Sequence, residues 1–111
     1  MIKITNETSI FIATQPLDFR KGLDRTLALL PELKLPHSKS GAYFVFSNRK
    51  KTMIRIISYD GTGFWLATKR LSRGFFSKLP QSPTGVTSLQ GQQLLKLLQQ
   101  IQLVPMSHKK T

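Results

Sequence analysis

Residues 59–74 read Tyr-Asp-Gly-Thr-Gly-Phe-Trp-Leu-Ala-Thr-Lys-Arg-Leu-Ser-Arg-Gly, the most informative stretch of the chain. The Asp60-Gly61 pair lies between two apolar segments, which is the pattern of a β-hairpin turn. The second strand of this hairpin begins with two aromatic residues and runs into the cations Lys69, Arg70 and Arg73. Because rings offer stacking area and cations neutralise phosphate, the stretch suits a nucleic-acid surface. The alternative is an ordinary hairpin whose rings lie in the core and whose charges lie in water.

Apolar segments on either side of this hairpin predict an antiparallel sheet of about four or five strands. The strands are expected at 9–14, 42–46, 53–59 and 64–69, with a short fifth strand or a covering turn at 75–76. The last three of the four long strands follow one another through local turns, which is typical of an antiparallel meander. Residues 81–85 are expected to form a loop.

Two helices are predicted, one before the meander and one after it. Asp18 is expected to cap a helix that begins at Phe19, continues with leucines at helical spacing and stops at Pro31. Thr87 and Gln90 have capping-box spacing for a final helix. The apolar stripe of that helix consists of Leu94, Leu97, Leu98 and Ile101. The order β-α-β-β-β-(β)-α indicates an α+β fold with two helices, a single domain over residues 1–104 and a basic tail over 105–111.

The charge balance of the chain is strongly positive. Its 111 residues include 17 Lys and Arg against five Asp and Glu, which gives a formal net charge of +12. Asp60 is the last acidic residue, so the seven cations that follow it have no carboxylate after that point to pair with. Such an excess favours polyanionic partners. Nucleic acid is the first candidate, and an acidic protein surface or simple solubility are the alternatives.

Several classes of function find no support in the composition. The chain has no cysteine and two histidines, His37 and His108, and neither histidine has a metal-like or triad-like neighbourhood. Asp18 and Asp24 lie six positions apart, so on one helix they point in directions roughly 240° apart. We therefore expect no catalytic residues, no metal site and no cofactor. No signal peptide and no membrane-spanning segment are found, so a cytoplasmic protein is expected.

The candidate nucleic-acid-binding residues lie on the hairpin strands and on the turn before them. Arg55 interrupts an apolar strand, so it either borders a ligand face or extends along a sheet edge. Strand alternation places Phe64 and Trp65 on opposite faces, so one is expected in the core and the other partly exposed, unless a helix covers each face. A second basic patch, Arg20 and Lys21, is either paired with nearby carboxylates or forms an anion site at a helix start. The main set is Arg49, Lys50, Arg55, Trp65, Lys69, Arg70 and Arg73.

Several ordered blocks of this chain resemble one bacterial family. They are 18–24 (Asp-Phe-Arg-Lys-Gly-Leu-Asp), 44–46 with Asn48-Arg49, 54–57 continuing through 59–63, and 69–75. The family is that of the small accessory proteins encoded by the second reading frame of insertion-sequence-66-type transposons, called TnpB in these elements. The resemblance implies a non-catalytic protein that is needed for transposition alongside a separate, larger transposase.

Together these observations predict a non-catalytic accessory protein that binds DNA, at transposon ends or along the backbone, mainly through phosphates. Such a protein would be cytoplasmic and associated with the nucleoid, with the transposase as a protein partner and no membrane partner. The alternative is an adaptor that docks on the transposase through the same residues without contacting DNA. A small nuclease or RNA-cleaving toxin that uses His37 is a third class. The DNA-binding hypothesis requires that the cations bordering the hairpin converge on one surface, and the sequence leaves the oligomeric state open.

Overall fold

Seven strands and two helices make up the computed structural model, which describes residues 4–5, 7–32, 41–82 and 85–103. The elements are β1 (Ile10–Ala13), α1 (Leu23–Glu32), β2 (Tyr43–Ser47), β3 (Met53–Tyr59), β4 (Phe64–Arg70), β5 (Phe75–Phe76), β6 (Val86–Leu89), α2 (Gly91–Leu97) and β7 (Ile101–Gln102). The predicted α+β class is confirmed.

The main sheet has five strands in the order β4-β3-β2-β1-β6. Strands β2, β3 and β4 form the predicted antiparallel meander. Strand β1 runs parallel to β2, because α1 carries the chain back to the same end of the sheet between them. Strand β6 pairs with β1, and β5 pairs with β7 in a separate two-stranded sheet. The sheet is therefore mostly antiparallel with one parallel pair.

The sheet is covered on both faces, and β2 shows this most clearly. Tyr43 and Val45 belong to one buried cluster, and Phe44 and Phe46 to the other, as strand alternation requires. On the first face, the α2 face, Leu94 and Leu97 of α2 and Phe76 of β5 pack on the sheet. On the second, the α1 face, Phe19, Leu23 and Leu27 pack on it. A central strand buried on both sides is continuously apolar, as 43–46 is.

Helix α1 begins at Leu23, so the prediction of a helix start at Phe19 was wrong. Residues 18–21 instead form a turn in which the Lys21 amide donates to the Asp18 carbonyl at 3.2 Å. The Asp18 carboxylate accepts from the Arg20 amide at 3.0 Å and so stabilises the turn rather than capping a helix. Pro31 also does not stop α1, which ends one residue later at Glu32. A proline has no amide hydrogen to donate to the carbonyl four residues before it, so the last turn of α1 has one helical hydrogen bond fewer.

The C-terminal part of the chain differs from the prediction in two respects. Thr87 pairs with Ile12 in β6 instead of capping a helix, because residues 86–89 complete the sheet beside β1. Helix α2 is short and ends at Leu97, so Ile101 lies in β7 and not on the helix. At the start of α2, the Gln90 amide donates to the Gln93 side chain at 2.8 Å. The tail at 105–111 lies outside the described residues, and the domain boundary stays a prediction.

Candidate nucleic-acid interface

Strand β4 forms one edge of the main sheet, and all seven of its residues are exposed. The register with β3 pairs Arg70 with Met53 and Lys69 with Ile54. Because directly opposed residues share a face, Arg70 lies on the α1 face and Lys69 on the α2 face. Phe64, Leu66 and Thr68 share the face of Arg70, and Trp65 and Ala67 share the face of Lys69.

Both aromatic residues at the start of β4 are exposed, so the expectation that one lies in the core was wrong. Phe64 is 37% exposed and Trp65 48% exposed. They lie on opposite faces, as alternation requires, but an edge strand has a neighbour on one side only. The Phe64 ring packs on the Tyr59 ring, with 5.0 Å between centroids.

The β2–β3 turn holds Arg49 and Lys50 at its exposed tip. The Asn48 side-chain oxygen accepts from the amides of Thr52 and Met53 at 2.9 and 3.0 Å, which closes the turn. These bonds fix the geometry from within the turn, so the two cations are not needed for it. Neither Arg49 nor Lys50 forms an ion pair with any described residue.

This turn and the segment after β1 enclose a groove of about 730 Å³ on the α1 face. Its apolar lining includes Leu17, Phe19 and Met53, and its charged lining consists of Asp18, Arg20, Arg49 and Lys50. Arg20 comes from the second predicted basic patch, and the fold brings it to the two turn cations from about 30 positions away in the sequence. The structure thus joins part of both predicted patches at one groove.

Arg20 is paired with Asp18, one of the two outcomes that the sequence left open. Its Nε and Nη2 atoms donate to the two carboxylate oxygens at 3.0 and 2.9 Å. This bidentate bond, and to a smaller extent the bond from the Arg20 amide, lowers the pKa of Asp18 to about 2. The same carboxylate raises the pKa of Arg20. The Arg20 side chain remains 92% exposed, so a further anion can reach it. Lys21, next to it, is also exposed.

Arg55 lies beside this groove on the α1 face. Its guanidinium carbon is 4.4 Å from the Phe19 ring centroid, and its Nε donates to the Thr68 hydroxyl at 3.2 Å. Stacking on a ring and bonding to a neighbouring strand hold the guanidinium in one place. Phe19 therefore links the groove lining to the strand that carries Arg55. The α1-face cations are the five residues Arg20, Arg49, Lys50, Arg55 and Arg70.

The cations bordering the hairpin do not all converge on one surface, so the requirement stated for the DNA-binding hypothesis is met only for part of the predicted set. Lys69 is on the α2 face, where its ammonium donates to the Leu98 carbonyl at 3.0 Å, just after α2 ends. Trp65 is on that face too, but four positions away along the strand, about 13 Å. Arg73 is exposed in the connection to β5. That connection returns to the end of the sheet that carries the β2–β3 turn, since the Phe76 amide donates to the Lys51 carbonyl at 2.8 Å.

The β3–β4 turn is organised by Asp60. One oxygen of its carboxylate accepts from the amides of Thr62 and Gly63, both at 2.9 Å, and from the Thr62 hydroxyl at 3.0 Å. The other oxygen accepts from the Trp65 indole at 2.8 Å. These bonds lower the pKa of Asp60 to about 2, and the two from the backbone amides contribute most. Asp60 therefore sets both the turn and the orientation of Trp65.

Protonation of the Asp60 carboxylate should be visible in the fluorescence of the protein during acid titration. Trp65, which donates to this carboxylate, is the single tryptophan of the chain. The pKa of Asp60 is lowered from 3.8, so its hydrogen bonds stabilise the hairpin above that value and are lost as the pH falls through about 2. We expect the fluorescence of Trp65 to change with a midpoint near pH 2. The Asp60→Asn variant should lack this transition. A midpoint near 3.8 in the unmodified protein would contradict the described hydrogen bonds.

Within residues 4–5, 7–32, 41–82 and 85–103, no three acidic or histidine side chains come together as ligands of a metal ion. His37 and His108 lie outside those ranges. None of the helices in the described part of the chain is long and apolar enough to cross a bilayer.

These features define the class of the protein: it is a small α+β protein with a cation-lined groove and an exposed edge strand. Residues 8–108 match the family of IS66 Orf2-like proteins, and the chain belongs to this family. Membership confirms the resemblance found in the sequence and associates the chain with transposition. It is not a family of known enzymes.

Two relatives from Sinorhizobium fredii are similar to this chain. The first, "Uncharacterized protein y4jC", is 38% identical over 76 residues, which cover 68% of this chain and 65% of the relative. The second, "Uncharacterized protein y4hO", is 32% identical over 98 residues, which cover 88% of this chain and 84% of the relative. The chain thus spans slightly less than two thirds of the first relative. No solved structure matches the chain.

Proposed function

We propose that this protein is a non-catalytic accessory factor that binds the DNA backbone within the transposition complex through its α1-face cations. The observation that carries the proposal is the groove at which Arg20, Arg49 and Lys50 meet, although they come from separate parts of the chain. Arg55 and Arg70 continue the same face along β3 and β4. Of these five cations, Arg20 alone forms an ion pair with a carboxylate of the described residues. The face is therefore positively charged, which favours a polyanionic ligand.

Contact with phosphates rather than with base edges follows from the way these cations are presented. Arg49 and Lys50 are at the tip of a short turn and Arg20 is in a turn before α1, so no helix projects them into a major groove. Cations on short turns position a protein on the duplex but read little sequence. We therefore assign non-specific binding to the protein, with a place in the nucleoid where the transposase acts.

An adaptor role is the second candidate, and the lining of the groove supports it. Leu17, Phe19 and Met53 give the groove an apolar surface beside its cations. An acidic peptide of the transposase with one or two apolar side chains would fit this combination, and it would bind the same cations that DNA would.

Salt-titrated binding separates the two candidates. The unmodified protein is tested against element-end DNA, random DNA of equal length and purified transposase. Five phosphate contacts predict a log–log slope of about 4.5 for both DNA duplexes, at about 0.9 per contact. Similar affinities for the two duplexes are expected as well. Absence of DNA binding, together with transposase co-purification that nuclease treatment leaves intact, would replace this proposal with the adaptor.

A further inference from the structure

The outer edge of β4 has unused hydrogen-bonding groups. The Asp60 amide donates to the Gly63 carbonyl, and the Leu71 amide donates to the Thr52 carbonyl, so both pairs are hydrogen-bonded pairs of the β3–β4 hairpin. Bonded pairs alternate in antiparallel strands, so residues 65, 67 and 69 also direct their backbone groups toward β3. The backbone groups of 64, 66, 68 and 70 then point outward. Among the described residues, none of these outward groups has a backbone partner.

The side chains of β4 are distributed unevenly along the strand. Large apolar residues occupy its start, where Phe64, Trp65 and Leu66 are 37%, 48% and 45% exposed. Cations occupy its end, at Lys69 and Arg70. A seven-residue exposed edge of this kind is a template for another strand. The occupant must bring cations to the aromatic end and apolar groups to the basic end, and a second β4 in antiparallel orientation does both.

We propose that two copies of this chain pair through β4, antiparallel, about a two-fold axis at Ala67. This register places Phe64 opposite Arg70, Trp65 opposite Lys69, and Leu66 opposite Thr68 of the other copy. The outward groups of 64, 66, 68 and 70 then bond to one another, as the alternation requires. Each cation lies beside a ring of the other copy, at a distance that suits a cation–π contact. The two main sheets join into one sheet of ten strands.

Charge and the number of paired residues favour this register over its neighbours. The outward backbone groups belong to even-numbered residues, so they can bond only when even-numbered residues of one copy lie opposite even-numbered residues of the other. Alternative registers therefore differ from this one by two residues or a multiple of two. A two-fold axis at Lys69 would place the two Lys69 side chains opposite each other, and an axis at Thr68 would leave two residues of each strand unpaired. The register centred on Ala67 pairs all seven residues and keeps like charges apart. Because each copy carries a formal charge of +12, salt should strengthen the association by screening repulsion.

Single cysteines test the register, because the chain has no cysteine of its own. In a non-bonded antiparallel pair the Cα atoms are about 4.5 Å apart, within the range of a disulfide. Ala67→Cys should therefore form a covalent dimer under mild oxidation. Leu66→Cys is the matched control, since its counterpart in the other copy lies diagonally, beyond about 7 Å. We expect Ala67→Cys to cross-link at least about tenfold faster. Equal rates for the two variants would overturn the proposal.

Sedimentation equilibrium of the full chain in about 0.5 M salt tests the association without cross-linking. The expected result is a reversible dimer that weakens at low salt, a dependence opposite to that of DNA binding. Trp65→Lys places a like charge opposite Lys69 and should raise the dissociation constant at least about tenfold relative to Trp65→Glu, which places an opposite charge there. A monomer at all concentrations, or equal constants for these two variants, would overturn the proposal. The inference does not rest on DNA binding, and either result can stand alone.

Discussion

Replacing Arg49 and Lys50 by alanine together is expected to weaken binding to a DNA duplex about 60-fold near 0.1 M salt. The log–log salt slope should fall by about 1.8, because each lost phosphate contact removes about 0.9. Both cations are exposed at the tip of the β2–β3 turn and neither holds the turn together, since Asn48 does. The double variant should therefore fold normally. Fluorescence anisotropy with a labelled duplex, repeated at several salt concentrations, measures both quantities.

The matched control for this variant is Lys69→Ala combined with Lys96→Ala. It removes the same total charge, but Lys69 lies on the α2 face and Lys96 on α2 itself. We expect its salt slope to stay within about 0.5 of the unmodified protein. Equal losses in the two double variants would mean that net charge, and not the groove, attracts DNA. In that case the assignment of the α1-face cations would be wrong.

Phe44→Ala should cost about 3–5 kcal/mol in free energy of unfolding, a large part of the stability of a domain of this size. Phe44 is fully buried in the central strand β2, and its ring stacks on Phe11 of β1 with 5.9 Å between centroids. The ring fills the space between the sheet and α1, so its removal leaves a cavity that a sheet fixed on both sides cannot close. Urea or guanidinium denaturation followed by circular dichroism measures the loss.

Phe75→Ala is the matched control, because it makes the same substitution at a partly exposed phenylalanine. Phe75 lies in β5 and is 36% exposed, while its neighbour Phe76 is fully buried. We expect a loss of about 1 kcal/mol or less for Phe75→Ala, since a partly exposed ring buries less apolar area and leaves no closed cavity. Comparable losses at Phe44 and Phe75 would contradict the burial of Phe44 in the cluster between the sheet and α1.

The meander could be predicted from sequence because its information is local. Residues 53–59 were predicted with the observed bounds, and the Asp60-Gly61 signal marked the turn that Asp60 organises. The parallel pairing of β1 with β2 and the addition of β6 depend on contacts between distant segments. Nothing in the pattern of 86–89 distinguishes a strand beside β1 from a loop before a helix. The start of α1 depends on competition between two local arrangements, since the Asp18 carboxylate binds Arg20 in a turn instead of capping a helix.

Prediction of the candidate site had the same limit. The sequence identified Arg49, Lys50 and Arg20 as cations of interest but placed them in two separate patches. Their meeting at one groove depends on how the segment after β1 folds against the β2–β3 turn, which is tertiary information. Lys69 and Arg70 belong to one predicted patch, but adjacent residues of a strand lie on opposite faces. Strand alternation, which predicts opposite faces for Phe64 and Trp65, predicts opposite faces for Lys69 and Arg70 as well.

An NMR titration of the isotope-labelled protein with a DNA duplex tests the central claim most directly, because it maps the contact surface residue by residue. Backbone amides of 18–21, 48–51 and 70 should shift as duplex is added at low salt and return as salt is raised. Amides of α2, around Lys96, should stay in place. Shifts concentrated on α2, or no shifts at any residue while the duplex is in excess, would contradict the assignment of the α1 face as the DNA-binding surface.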